Sequence, residues 1–173
     1  MAFFEHTFQI GFRDTGKSNT LTNRAFLSFM EDIGGLHSDC AGYGINDIEK
    51  THLTWILVGW KLKVFDRPKC GQKIRIVTWG KDFGRVHALR DFEVYDANNK
   101  LIAIATSKWV LFNTQTSRLT RISQEVVDAY TIENKSVFDE EVTFSIDAPP
   151  STEVSNTLYY TILRRDIDIN NHM

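Results

Sequence analysis

Apolar residues recur along the first quarter of the chain in two different rhythms. Over 4–12 they alternate, with Phe4, Phe8, Ile10 and Phe12 on one side, which predicts a strand with one buried face. After a polar loop over 14–20 the spacing lengthens. Phe26, Phe29, Met30, Ile33, Leu36, His37 and Cys40 fall at steps of three and four, which predicts one long helix over 23–40. Thr22 or Asn23 is suited to cap its start, and Gly42-Tyr43-Gly44 ends it. The pair Gly34-Gly35 in its middle costs about 1 kcal/mol per residue relative to alanine, so a sheet backbone is expected to approach the helix closely there. Cys40 ends the apolar stripe and is expected in the core, where free cysteine usually lies.

From residue 51 the period shortens again. Strands are expected over 51–65, 72–79, 85–95 and 101–112, joined at 66–71, 81–84 and 96–100 by turns short enough for antiparallel neighbours. On the third of these, Val86, Ala88, Arg90, Phe92 and Val94 share one face, and His87, Leu89, Asp91, Glu93 and Tyr95 share the other. Strand, long apolar helix and antiparallel run make an α+β order in which the sheet must curl over a helix too hydrophobic to face water. A cystatin-like or cone-shaped ligand-binding fold would satisfy the same order.

Ser123 opens a short helix over 123–130, and 138–146 mixes acidic and apolar residues. Pro149 and Pro150 forbid helix and weaken sheet, which marks a boundary. The reading is a domain over 1–146, a linker over 147–156 and the start of a second unit over 157–173, with a strand over 157–165.

Composition narrows the function classes. With 42% hydrophobic and 12% aromatic residues the chain can build a core, and a net charge of -2 offers no broad nucleic-acid footprint. Neither a secretory nor a presequence pattern opens it and no apolar run reaches bilayer length, so a soluble cytoplasmic protein without a membrane span is expected. Cys40 and Cys70 lack the spacing of a disulfide framework or a zinc site, and no metal is expected. His6, His37, His52 and His87 share no spacing with Asp or Ser and suit packing or surface roles. Glu31 and Asp32 suit a solvated helix flank.

The densest chemistry lies at 166–173. If the backbone there is extended, Asp166, Asp168, Asn170 and His172 share a face and form a titratable row. The stretch Tyr160-Thr161-Ile162-Leu163-Arg164-Arg165-Asp166 also aligns without a gap on Phe8-Gln9-Ile10-Gly11-Phe12-Arg13-Asp14. The same register sets Asp168, Asn170 and His172 against Gly16, Ser18 and Thr20. A duplication with one structural and one catalytic copy accounts for that match.

Several motifs occur in a telling order. They are Leu53-Thr54-Trp55, Thr78-Trp79, Arg90-Asp91-Phe92 and Ser107-Lys108-Trp109-Val110, then Arg118-Leu119-Thr120-Arg121-Ile122 and the closing Arg164-Arg165-Asp166-Ile167-Asp168-Ile169-Asn170-Asn171-His172-Met173. In this order the chain resembles the acyl-ACP thioesterases of plants and bacteria, which are two hot-dog domains in tandem. The resemblance implies a truncated member, with a hot-dog fold over the first domain and the first strand of a second. It implies hydrolysis of the thioester between a fatty acyl chain and the phosphopantetheine arm of acyl carrier protein, in fatty acid biosynthesis, with no cofactor. By position, Asp168, Asn170 and His172 become the catalytic Asp-x-Asn-x-His, with amide and imidazole donating to the developing oxyanion and Asp168 orienting a neighbour or water. The attacking base would be a carboxylate or cysteine beyond Met173, so the fragment itself is expected to be inactive.

The resemblance places chain-length selection in the first domain, and Phe26, Met30, Trp55 and Trp60 are the expected walls of the acyl slot. Arg164 and Arg165 suit the acidic surface of the carrier protein, although strand-edge solubility explains them as well. A homodimer is left open. A hot-dog thioesterase acting on coenzyme A thioesters and a non-catalytic acyl-binding module are the competing functions.

Overall fold

Thr22 starts the long helix: its hydroxyl accepts the Ala25 N–H at 3.2 Å, which opens helix α1 (Asn23–Ala41). Gly42 ends it in the left-handed conformation (φ 77°), where its N–H returns to the Asp39 and Ser38 carbonyls. A computed structural model describes residues 2–144 and 159–164. The elements are β1 (Phe3–Gln9), α1, α2 (Ile48–Thr51), β2 (Leu53–Val64), β3 (Lys73–Phe83), β4 (Ala88–Asp96), β5 (Leu101–Asn113), β6 (Arg118–Leu119) and α3 (Gln124–Tyr130). The expected α+β order is present.

The strands make one antiparallel sheet in the order β1-β3-β4-β5-β2, with β6 paired to β5. Its register shifts at Leu57/Gly59, Gly80/Asp82 and Val94/Tyr95, and such bulges bend strands and increase twist. The concave face receives α1. Phe26, Met30 and Ile33 are fully buried against Ile74, Ile76, Phe92, Val94, Ala103 and Ala105. Each large side chain buried this way contributes about 1.5–3 kcal/mol relative to exposure. The small Ala103 and Ala105 of β5 stand beside Val94 and Phe92 of β4, so the bulk of the layer comes from one strand at a time.

Several sequence expectations are corrected. Strand β1 ends at Gln9 and the chain turns at Gly11, whose N–H donates to Asp14 Oδ2 at 2.7 Å. Phe12 therefore leaves the buried face and is 87% exposed in a 3-10 turn. Cys40 is exposed, because the stripe that meets the sheet runs through His37 and Ser38 and Cys40 sits to its side. No sheet backbone crowds the helix glycines. A Cβ on Gly34 would meet the Arg90 side chain at an ordinary 3.8 Å, and one on Gly35 would meet nothing within 4 Å. Strand β3 runs on to Phe83 after its bulge, which moves the turn to 84–87, where Gly84 N–H donates to the His87 carbonyl.

The convex face is covered by 131–144, which has no regular secondary structure. Trp79 Nε1 donates to the Lys135 carbonyl at 2.9 Å, and Val137 N–H donates to Asp91 Oδ2 at 2.9 Å. The Thr106 hydroxyl donates to Asp91 Oδ1 at 2.6 Å, and Lys135 pairs with Glu93 at 2.7 Å. Further along, Phe138 lies beneath Lys61 Nζ and Phe144 packs on Gly59. The segment thus crosses from β3 to β2, and it seals Asp91 and Trp79 completely from solvent. The described residues 159–163 also have no regular structure, and Tyr159, Tyr160, Ile162 and Leu163 are exposed. The linker over 147–156, and with it the expected domain boundary, lies outside the described residues.

Two outcomes test this arrangement. Phe92→Ala, at the centre of the concave face, should lower the unfolding free energy by about 3–5 kcal/mol in a denaturant titration. Burial holds the Asp91 carboxyl above the usual aspartate range, opposed by its bonds to Thr106 and Val137 and by Lys81. The folded state therefore binds this proton more tightly than the unfolded one. Its contribution to stability is complete below about pH 3.9 and is lost as pH rises through the raised folded value. Stability measured from about pH 4 to about pH 8 should thus fall more for the parent than for Asp91→Asn, and a constant difference would show that Asp91 is not strained by burial.

Candidate functional site

The C-terminal half of α1 does not fill the sheet. Where Gly34, Gly35 and Ser38 face the strands, an opening of about 150 Å³ remains, bounded opposite by Trp55, Phe83 and Trp109 and at one end by Tyr130 of α3. The glycine pair creates this space, since neither residue sends a side chain into it. Tyr43 and Ile45, in the loop that Gly42 turns back toward the sheet, form part of its rim. Among the described residues no three His, Cys, Asp or Glu side chains are grouped to hold a metal ion.

A polar network forms one wall. Arg90, on the otherwise greasy face of β4, donates from Nη1 to His37 Nδ1 at 2.9 Å and to Thr78 Oγ1 at 3.2 Å. Its guanidinium carbon sits 5.7 Å from the Tyr130 ring centre, within cation–π range. The Tyr130 hydroxyl donates to Ser38 Oγ at 2.9 Å and accepts from Trp55 Nε1 at 2.8 Å. Helix, β2, β4 and α3 are thereby tied through one phenol and one guanidinium. Burial lowers the Arg90 pKa to about 10, which still leaves it cationic at neutral pH, and burial raises that of Tyr130. Tyr43 is also raised, by burial and then by the Glu125 charge.

Of the residues expected to wall an acyl slot, Trp55 borders the cavity. Phe26 and Met30 do not: they are fully enclosed between α1 and the sheet, filling the core. Trp60 packs its ring 5.3 Å from that of Phe92, against the same core, with its Nε1 buried and without an acceptor among the described residues. Asp168, Asn170 and His172 lie outside the described residues. Their first-copy counterparts Ser18 and Thr20 join hydroxyl to hydroxyl at 2.9 Å on the surface. Glu31, expected on a solvated flank, is exposed and also borders the cavity.

The network of His37, Ser38, Thr78, Arg90 and Tyr130 was not assembled from the sequence. Its signals were present as exceptions to pattern: a histidine inside the apolar stripe of α1, and an arginine between Ala88 and Phe92 on a greasy strand face. Neither strand nor helix periodicity indicates that the two exceptions face each other.

Similar proteins agree with this architecture. The chain is 26% identical to oleoyl-acyl carrier protein thioesterase 1, chloroplastic, of Arabidopsis thaliana over 98% of its own length and 51% of that protein's. It is likewise 26% identical to the oleoyl-acyl carrier protein thioesterase, chloroplastic, of Coriandrum sativum, over 98% of this chain and 50% of the relative. It thus spans about half the length of these curated relatives. Among solved structures, a 12:0-ACP thioesterase from Umbellularia californica superposes with a TM-score of 0.80 at 24% identity, covering 97% of this chain and 68% of that one. An acyl-ACP thioesterase from Bacteroides thetaiotaomicron gives 0.81 at 24% identity, over 97% and 67%. Both share the hot-dog fold: a long helix held in a curved antiparallel sheet. Residues 2–130 match the family model described as the acyl-ACP thioesterase N-terminal domain, and the chain belongs to that family.

Proposed function

We propose that this chain is the N-terminal part of a thiolester hydrolase that cleaves fatty acyl-ACP to free fatty acid and acyl carrier protein. The observation that carries the reading is the match of residues 2–130 to the family, followed in the same chain by Asp168-x-Asn170-x-His172. Hydrolysis of a thioester develops negative charge on the carbonyl oxygen, and hydrogen-bond donors fixed at that point stabilise the transition state more than the ground state. Asn170 through its amide and His172 through its ring N–H have that capacity, and Asp168 can orient either one or a water molecule. Delivery of the attacking oxygen needs a further base or nucleophile, a role we do not place on these three residues.

The first domain supplies the hydrophobic side of the substrate site. The cavity edge made by Trp55, Phe83 and Trp109 is a surface on which an acyl chain can lie. Phe26 and Met30, enclosed in the core, and Trp60, packed on Phe92, lie beyond that edge and do not themselves face the cavity. Arg164 and Arg165 would meet the acidic carrier protein, and a homodimer belongs to the same reading. No helix among the described residues is long and apolar enough to cross a membrane. A cytoplasmic location is part of the proposal, whereas the plant relatives are named chloroplastic.

In the full-length protein, Asn170→Ala or His172→Ala should lower kcat on acyl-ACP by about 100-fold or more with KM little changed, as loss of an oxyanion donor does elsewhere. Ser18→Ala and Thr20→Ala, whose hydroxyls bond each other on the surface, should be nearly silent. Equal losses from both pairs would remove the division into structural and catalytic copies. Steady-state rates on acyl-ACP and acyl-CoA of the same chain length decide the carrier: a preference for the coenzyme A thioester would overturn the reading.

A further inference from the structure

Arg90 is a buried cation whose hydrogen bonding is one-sided. Both of its hydrogen bonds leave from Nη1, to His37 and to Thr78. Among the described residues, Nε and Nη2 have no acceptor and no carboxylate pairs with the guanidinium. A Cβ on Gly34 would stand 4.0 Å from Arg90 Nε, and Gly34 and Arg90 line the cavity together. Arg90 is 7% exposed, and what it is exposed to is the cavity that it lines with Gly34, Trp55 and Tyr130.

The free side of the guanidinium has a particular shape. Nε–H and one N–H of Nη2 run parallel along one edge and match the two oxygens of a carboxylate, a geometry that an alcohol or ester oxygen fills only in part. Among the described residues that line the cavity, Arg90 is the one Lys or Arg, and so the cation that an anionic head would meet. Trp55, Phe83 and Trp109 provide apolar surface for the body of the ligand. A space of about 150 Å³ accommodates a molecule of about six carbon atoms.

We propose that this cavity is a carboxylate site, which takes an aliphatic monocarboxylate head first onto the Nε–Nη2 edge of Arg90, with the hydrocarbon lying against Trp55 and Trp109. In the context of the proposed hydrolysis, on which this consequence rests, the ligand is the chemical class of the product. A released fatty acid would then occupy the surface that an acyl chain needs and would compete with it.

Calorimetric titration of the full chain with hexanoate, hexan-1-ol and methyl hexanoate tests the site without any turnover, and the fluorescence of Trp55 and Trp109 gives a second readout. Hexanoate should bind about 10-fold or more tighter than either neutral analogue. Arg90→Lys keeps the charge and loses the fork, so it should lower hexanoate affinity about 10-fold and leave hexan-1-ol unchanged. Gly35→Leu fills the space without touching Arg90 and should remove binding of all three, with the fold verified by circular dichroism. If Arg90→Lys does not fold, the ligand series and Gly35→Leu still decide. Equal affinity for hexanoate and its neutral analogues, or hexanoate binding that survives Gly35→Leu, overturns the proposal. Retained carboxylate binding in a full-length protein that hydrolyses no thioester would remove the proposed activity and leave this site standing, and the opposite pair of results would do the reverse.

Discussion

Everything in this structure follows from the need to keep α1 out of water. Its stripe of Phe26, Met30 and Ile33 is fully buried, and a single helix can be enclosed this way only by a sheet that bends around it. The register shifts at Leu57/Gly59, Gly80/Asp82 and Val94/Tyr95 supply that bend by inserting residues where the strands would otherwise run flat. Ala103 and Ala105 leave room beneath the helix, while Phe92 and Val94 fill the adjacent strand. Curvature, small residues and the apolar stripe are therefore parts of one packing solution.

The cavity lies where that solution changes character. Over the first half of α1 the contact with the sheet is hydrocarbon on hydrocarbon. From Gly34 onward the inward positions are glycine, histidine and serine, and the sheet answers with Thr78 and Arg90 in place of Ile74 and Ile76. A buried guanidinium is costly to desolvate, and here the cost is offset by Thr78, His37 and the Tyr130 ring, with no carboxylate partner among the described residues. Tyr130 is the hinge of this arrangement: it faces Arg90 with its ring and joins Ser38 and Trp55 with its hydroxyl. The short helix α3 is thus held by a specific side chain, and with it one end of the cavity.

The opposite face of the sheet has a different logic. Trp79 and Asp91 are adjacent across β3 and β4 and point away from α1, and neither is exposed. The segment 131–144 covers them with its backbone, giving a carbonyl to Trp79 and an N–H to Asp91. Because these bonds use main-chain groups, the segment needs no secondary structure of its own to be placed. Glu93 with Lys135, and Lys61 over Phe138, continue the attachment.

Local pattern determined much of this protein. The caps at Thr22 and Gly42, the helix between them, four of the strands and the α3 helix opened by Ser123 are encoded within a few residues of where they occur, because capping and periodicity are short-range effects. The spacing Asp168-x-Asn170-x-His172 is likewise a local pattern, and it lies outside the described residues. What pattern did not contain was the pairing of exceptions. His37 and Arg90 are 53 positions apart, and Trp55 and Tyr130 are 75 apart. Gly34 and Gly35 suggested a close approach of sheet backbone, yet they leave an opening beside Arg90, and Phe12 and Cys40 left the buried side although their spacing fitted it. Which side chains meet across the fold depends on how far the sheet curls and where its bulges fall, and those are properties of the whole strand array rather than of any segment of sequence.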